Sequence, residues 1–106
     1  MPKFLIKGTY TSEGMKGLQK DKASGRETSV EAACKALGGK LDAMYYALGD
    51  DDVFVVVDLP SHLHMASLCV AVGSSGMAST RTVPLMTVAE MDKALSESVS
   101  YRPPGG

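Results

Sequence analysis

Val53, Phe54, Val55, Val56 and Val57 form an unbroken apolar run, set between the carboxylates Asp50, Asp51 and Asp52 and a closing Asp58-Leu59-Pro60. β-Branched and aromatic side chains bounded by turn formers read as a strand, over 52–59, that is buried on both faces. Lys3 to Tyr10 instead alternates, with Phe4, Ile6 and Tyr10 against Lys3, Leu5, Lys7 and Thr9, which predicts a strand with one drier face. Thr11 suits the N-cap of a short helical turn carrying Met15 and Leu18. The polar segment 19–25 is expected to kink that helix or loop out. Ser24 and Glu27 then have capping-box spacing, and Val30, Ala33, Cys34 and Leu37 form an i, i+3, i+4, i+7 stripe closed by Gly38-Gly39. A second alternating strand is expected over 40–48, with Leu41, Ala43 and Tyr45 on one face and Met44 and Tyr46 on the other. A short turn at Gly49 makes it a hairpin with the valine-rich strand. Ser61 opens a helix over 62–73 that is apolar almost all round, which predicts deep burial. A fourth strand follows over 77–86. Thr87 and Glu90 then form another capping box, opening a short helix with Met91, Ala94 and Leu95 inward.

The order is β-α-β-β-α-β with an added terminal helix, an α+β fold of the ferredoxin-like type. Right-handed crossovers place both main helices on one face of a four-stranded antiparallel sheet. Residues 1–95 then form one domain and 96–106, ending Pro-Pro-Gly-Gly, a tail or arm. The opposite sheet face has no cover within the chain, although the central strand is apolar on both sides. At about 25 cal/mol per Å², leaving several hundred Å² of such surface wet costs many kcal/mol. The expected partner is a second copy, two sheets packing face to face in a homodimer or higher homo-oligomer.

Charge adds little to this picture. Eleven basic and twelve acidic residues leave a formal net charge of −1, and no Lys/Arg run makes a basic patch, so neither nucleic acid nor an anionic membrane is an expected partner. No stretch approaches the ~20 apolar residues that span a bilayer, and the opening residues lack the pattern of a signal peptide. Cys34 and Cys69 sit among apolar neighbours and read as reduced thiols, so the expected location is the cytoplasm.

Candidate chemistry is sparse. No phosphate loop, dinucleotide glycine fingerprint, CxxC pair or nucleophilic triad order is present, so no cofactor is expected. Asp50, Asp51 and Asp52 are adjacent on an extended chain, cannot all point one way, and read as a solvated turn rather than a cation site. His62, Met65 and Cys69 share a helical face and are soft metal ligands in principle, but Met and Cys in an apolar helix read first as core, so no metal is expected. Tyr10, Tyr45, Tyr46, Asp52 and Arg81 have the character of a pocket that is largely apolar with a few placed polar groups. Tyr10, Tyr46, Asp52 and Arg81 are the candidate ligand-binding residues. Packing of the tyrosines at a subunit seam is the plainer alternative. Two functions follow: a binding protein for a small molecule, or a small cofactor-free enzyme, an isomerase or monooxygenase with Asp52 or a His as acid–base group.

The ordered set Met1-Pro2-Lys3-Phe4-Leu5, Tyr10-Thr11 with Gly14, Leu37-Gly38-Gly39-Lys40-Leu41, Tyr45-Tyr46-Ala47-Leu48-Gly49, Asp52-Val53 through Asp58-Leu59-Pro60, and Val83-Pro84-Leu85-Met86-Thr87 resembles the GYD-domain family over roughly 1–95. The Gly-Tyr-Asp signature falls at Gly49 to Asp52, with Asp51 where the resemblance implies a tyrosine. The resemblance implies a small bacterial protein of the dimeric α+β barrel superfamily. Relatives on that fold include small monooxygenases, isomerases and haem-dependent enzymes as well as proteins with no known chemistry, so fold alone does not choose the function.

Overall fold

The computed structural model describes residues 1–106. The elements are β1 (Lys3–Tyr10), α1 (Ser12–Ala36), β2 (Lys40–Tyr46), β3 (Val53–Asp58), α2 (His62–Ser74), β4 (Ala78–Leu85) and α3 (Val88–Leu95). The sheet has four strands in the order β2-β3-β1-β4. All pairings are antiparallel. This is the ferredoxin-like arrangement expected from the element order. The two strands at its centre carry the core: Phe4 and Ile6 on β1 and Val53, Val55 and Val57 on β3 are buried, joined by Leu59, Cys34 and Met65.

Pleat and register assign the two faces of the sheet. Phe4, Ile6, Gly8 and Tyr10 point toward the helices, level with Val57, Val55 and Val53 of β3 and with Thr82, Thr80 and Ala78 of β4. Leu5, Lys7 and Thr9 share the other face with Phe54, Val56, Arg81 and Val83. On β2 a bulge between Leu41 and Ala43 shifts the alternation. Leu41 therefore belongs with Met44 and Tyr46 on the helix side, not with Ala43 and Tyr45, because an extra residue in one strand reverses the pleat beyond it.

The break expected within 19–25 is present, and three details around and beyond it are corrected. The first helix is two helical segments meeting at Lys22, rather than a short turn and a helix capped at Ser24. It runs from its Thr11 cap to Ala36, broken only at Lys22, whose φ of 66° and ψ of 165° lie outside helical space. The restart therefore precedes Ser24, which falls inside the helix. In α2 only Met65 is buried, while Leu63 and Val70 are 79% and 69% exposed, so its apolar composition wraps an outward face as well as an inward one. In α3 the capping box of Thr87 and Glu90 is present, with both hydrogen bonds formed. Met91 and Leu95 nevertheless face solvent, so the helix buries nothing within its own chain.

The terminal arm changes the overall shape. The radius of gyration is 16.9 Å, against about 13 Å for a compact chain of this length. Only 11 of 106 residues are buried, a small core for the chain, while Tyr45, Val83, Val88, Val99 and Tyr101 are exposed. No helix is long and apolar enough to cross a membrane.

Candidate small-molecule site

α1 packs over β1 and β2 and α2 over β4, so the two helices stand apart above the middle of the sheet. Small residues keep that gap open. Gly8 has no side chain, and Ala33 of α1 and Ala78 of β4 reach only a short way into the space. The result is a cavity of about 160 Å³ walled by Ile6, Met44, Val53, Val55, Met65 and Leu68. A wider space of about 450 Å³ between α1 and α2 shares Tyr10, Arg26 and Leu68 with it. Gly8 also meets a packing requirement, because a Cβ there would lie 2.8 Å from Cγ1 of Val53.

The polar groups gather at one end. The Tyr10 and Tyr46 hydroxyls are 3.4 Å apart, one donating to the other. Burial, followed by the hydrogen bond shared with Tyr10, pushes the Tyr46 phenol far above its ordinary value, and Arg26 and Glu27 act on it with opposite signs. Arg26 is the charged residue of the cavity wall. Its guanidinium stands 3.7 Å from the Asp21 carboxylate, a loose ion pair across the break in α1. Also on the wall, Cys69 has its Sγ 3.3 Å from Thr82 Oγ1.

The four residues singled out from the sequence do not share this pocket. Tyr10 lines it and Tyr46 touches Tyr10. Asp52 immediately precedes β3 and accepts the Tyr10 backbone N–H at 2.8 Å, a structural bond that fastens the β2–β3 connection to β1. Arg81 lies on the opposite face of the sheet, where it donates two hydrogen bonds to Asp51 at 2.7 and 2.8 Å. Asp51 is thereby committed to an ion pair. Tyr45 is also on that face and 72% exposed.

The soft-ligand set on α2 is likewise divided among separate partners. His62 stacks edge-on against Phe4 with centroids 5.2 Å apart, Met65 is in the core, and Cys69 meets Thr82. Elsewhere, Lys3 bridges Asp42 and Asp58 at one end of the open sheet face. Its ammonium holds Asp42 below the usual carboxylate range, and the Asp42 and Asp58 hydrogen bonds raise Lys3 in turn.

Arg26 was missed by sequence reading, though a signal for it existed. Arg26, Ser29, Val30 and Ala33 stand at i, i+3, i+4 and i+7, so the apolar stripe of α1 continues one turn back onto a cation. Met44 was missed because the bulge that turns it inward leaves no local trace.

No curated protein and no solved structure gave a significant match to this chain. The family model of the GYD domain matches residues 4–95. That span contains the sheet from Phe4 onward, both crossover helices and every residue of the cavity, and the chain belongs to the GYD-domain family.

Proposed function

We propose that this protein is a homo-oligomer that binds a small, mainly apolar molecule between its sheet and helices. The carrying observation is the cavity of about 160 Å³, apolar along its length and furnished at one end with Tyr10, Tyr46 and Arg26. A few placed polar groups at the end of an apolar space are the usual make-up of a small-ligand site. Leu5, Phe54, Val56 and Val83, uncovered on the opposite face, support assembly through a second copy. The free thiols of Cys34 and Cys69 suit a reducing compartment, which supports a cytoplasmic setting.

The enzyme alternative draws less support. No carboxylate and no imidazole lines the cavity, and Asp52 is engaged with the Tyr10 backbone. Proton transfer there would fall to the phenols or to Cys69, and the Tyr46 phenol is biased strongly toward keeping its proton.

Titration with toluene, followed through the methyl NMR signals of Val55 and Met65, tests the binding reading. Saturable shifts are expected in the native chain and their loss in Ala33→Leu, which fills the space. Methyl signals that stay unmoved in the native chain contradict the reading.

A further inference from the structure

We infer that the ligand is an apolar monocarboxylate, its hydrocarbon body among Val53, Val55 and Met65 and its carboxylate at the Arg26 end of the cavity. This rests on the small-molecule reading above and narrows it to one chemical class.

Size limits the body. A dry apolar cavity of about 150 Å³ accommodates a benzene ring, and the space here is about 160 Å³. A single ring or a chain of comparable bulk fits there, and the wider space that shares Tyr10, Arg26 and Leu68 leaves room for a head group at the Arg26 end. The wall chemistry excludes sugars and other polyols, because Ile6, Val53, Val55 and Leu68 offer no partners for many hydroxyls.

The head group is fixed by what waits at the end. Arg26 brings a planar fork of donors that matches a carboxylate. Its own partner Asp21 is 3.7 Å away, too far for a good hydrogen bond, so an incoming carboxylate meets an under-used guanidinium. Of the two protons on the Tyr10 and Tyr46 hydroxyls, one is used between them and the other is free to donate. The anionic groups nearby set an upper limit on charge. Asp21 beside Arg26 and Glu27 near Tyr46 oppose any anion, and a second negative charge on the ligand would meet them with no further cation of the cavity wall to offset it.

Benzoate and benzyl alcohol share a ring and differ in charge, so NMR titration of both into the native protein at pH 7 separates the claims. Both are expected to shift the Val55 and Met65 methyls, with benzoate binding at least about tenfold more tightly, the scale of one charge-assisted hydrogen bond over a neutral one. Arg26→Gln is expected to remove most of that advantage, and Arg26→Lys, which keeps the charge without the fork, to restore part of it. Benzyl alcohol binding as tightly as benzoate, or an unchanged benzoate affinity in folded Arg26→Gln, overturns the carboxylate inference and leaves the small-molecule reading standing. Failure of both ligands to move either methyl overturns the two together.

Discussion

Tyr46 occupies the end of an edge strand, where a tyrosine ordinarily titrates near 10. Here the residue is 39% exposed, on the helix side of the sheet, and its hydroxyl meets that of Tyr10 at 3.4 Å. Burial keeps the phenol protonated well above that range. The sign follows by linkage. Between about 10 and the higher folded value the unfolded chain releases the proton and the folded chain keeps it, so this contribution to stability is complete below about 10 and is lost as the pH rises. In an alkaline absorbance titration of the four tyrosines, one is expected to resist ionisation until the protein unfolds. Tyr46→Phe is expected to remove that late step and soften the alkaline loss of stability. Four tyrosines ionising together near 10 would contradict the placement.

At the scale of elements, α1 is held by two glycines with opposite requirements. A Cβ on Gly14 would sit 1.9 Å from the Met77 carbonyl oxygen, because the first turn of the helix presses against the start of β4. Gly17, one turn later, faces open space. Gly14→Ala is therefore expected to cost about 1–3 kcal/mol or more through a clash with rigid backbone. Gly17→Ala should stabilise by up to about 1 kcal/mol through helix propensity alone. Thermal or urea unfolding of the two variants checks the pair, and equal effects would contradict the packing of α1 on β4. In the sequence the two look alike, since each is a glycine in a weak helical pattern; only the approach of a distant carbonyl separates them.

The same distinction explains what else was legible. Element order, caps at Thr11, Ser61 and Thr87, and the doubly apolar β3 are local patterns, and the structure contains them. The polar run 19–25 announced a break in α1, but neither its place at Lys22, in a conformation costing about 1–3 kcal/mol, nor the bulge in β2 has a signature in a short window. The site was half visible for the same reason. Tyr10 and Tyr46 come together because their strands flank one another's neighbours, whereas Asp52 and Arg81 were separated by a backbone bond and by the pleat.

For the whole molecule, the two faces of the sheet have different tasks. One, with the helices above it, holds the cavity. The other displays Leu5, Phe54, Val56 and Val83, with the Lys3–Asp42–Asp58 cluster and the Arg81–Asp51 pair also on the open side. α3 adds exposed Val88, Met91 and Leu95 on an arm that its own chain does not pack. A domain with so small a buried core gains much by covering these surfaces. Val56 sits centrally on the open face, opposite Leu5 of β1 and Ala43 of β2. A charge at that position would be trapped against a second sheet but solvated in a free chain. Val56→Lys is expected to dissociate the assembly while leaving the cavity across the sheet able to bind toluene. The decisive measurement is native mass spectrometry of the native chain and Val56→Lys at micromolar concentration. The account predicts the native protein at twice the 11.1 kDa chain mass, or a higher multiple, and the variant at a single chain. A native protein that is monomeric under those conditions would contradict it.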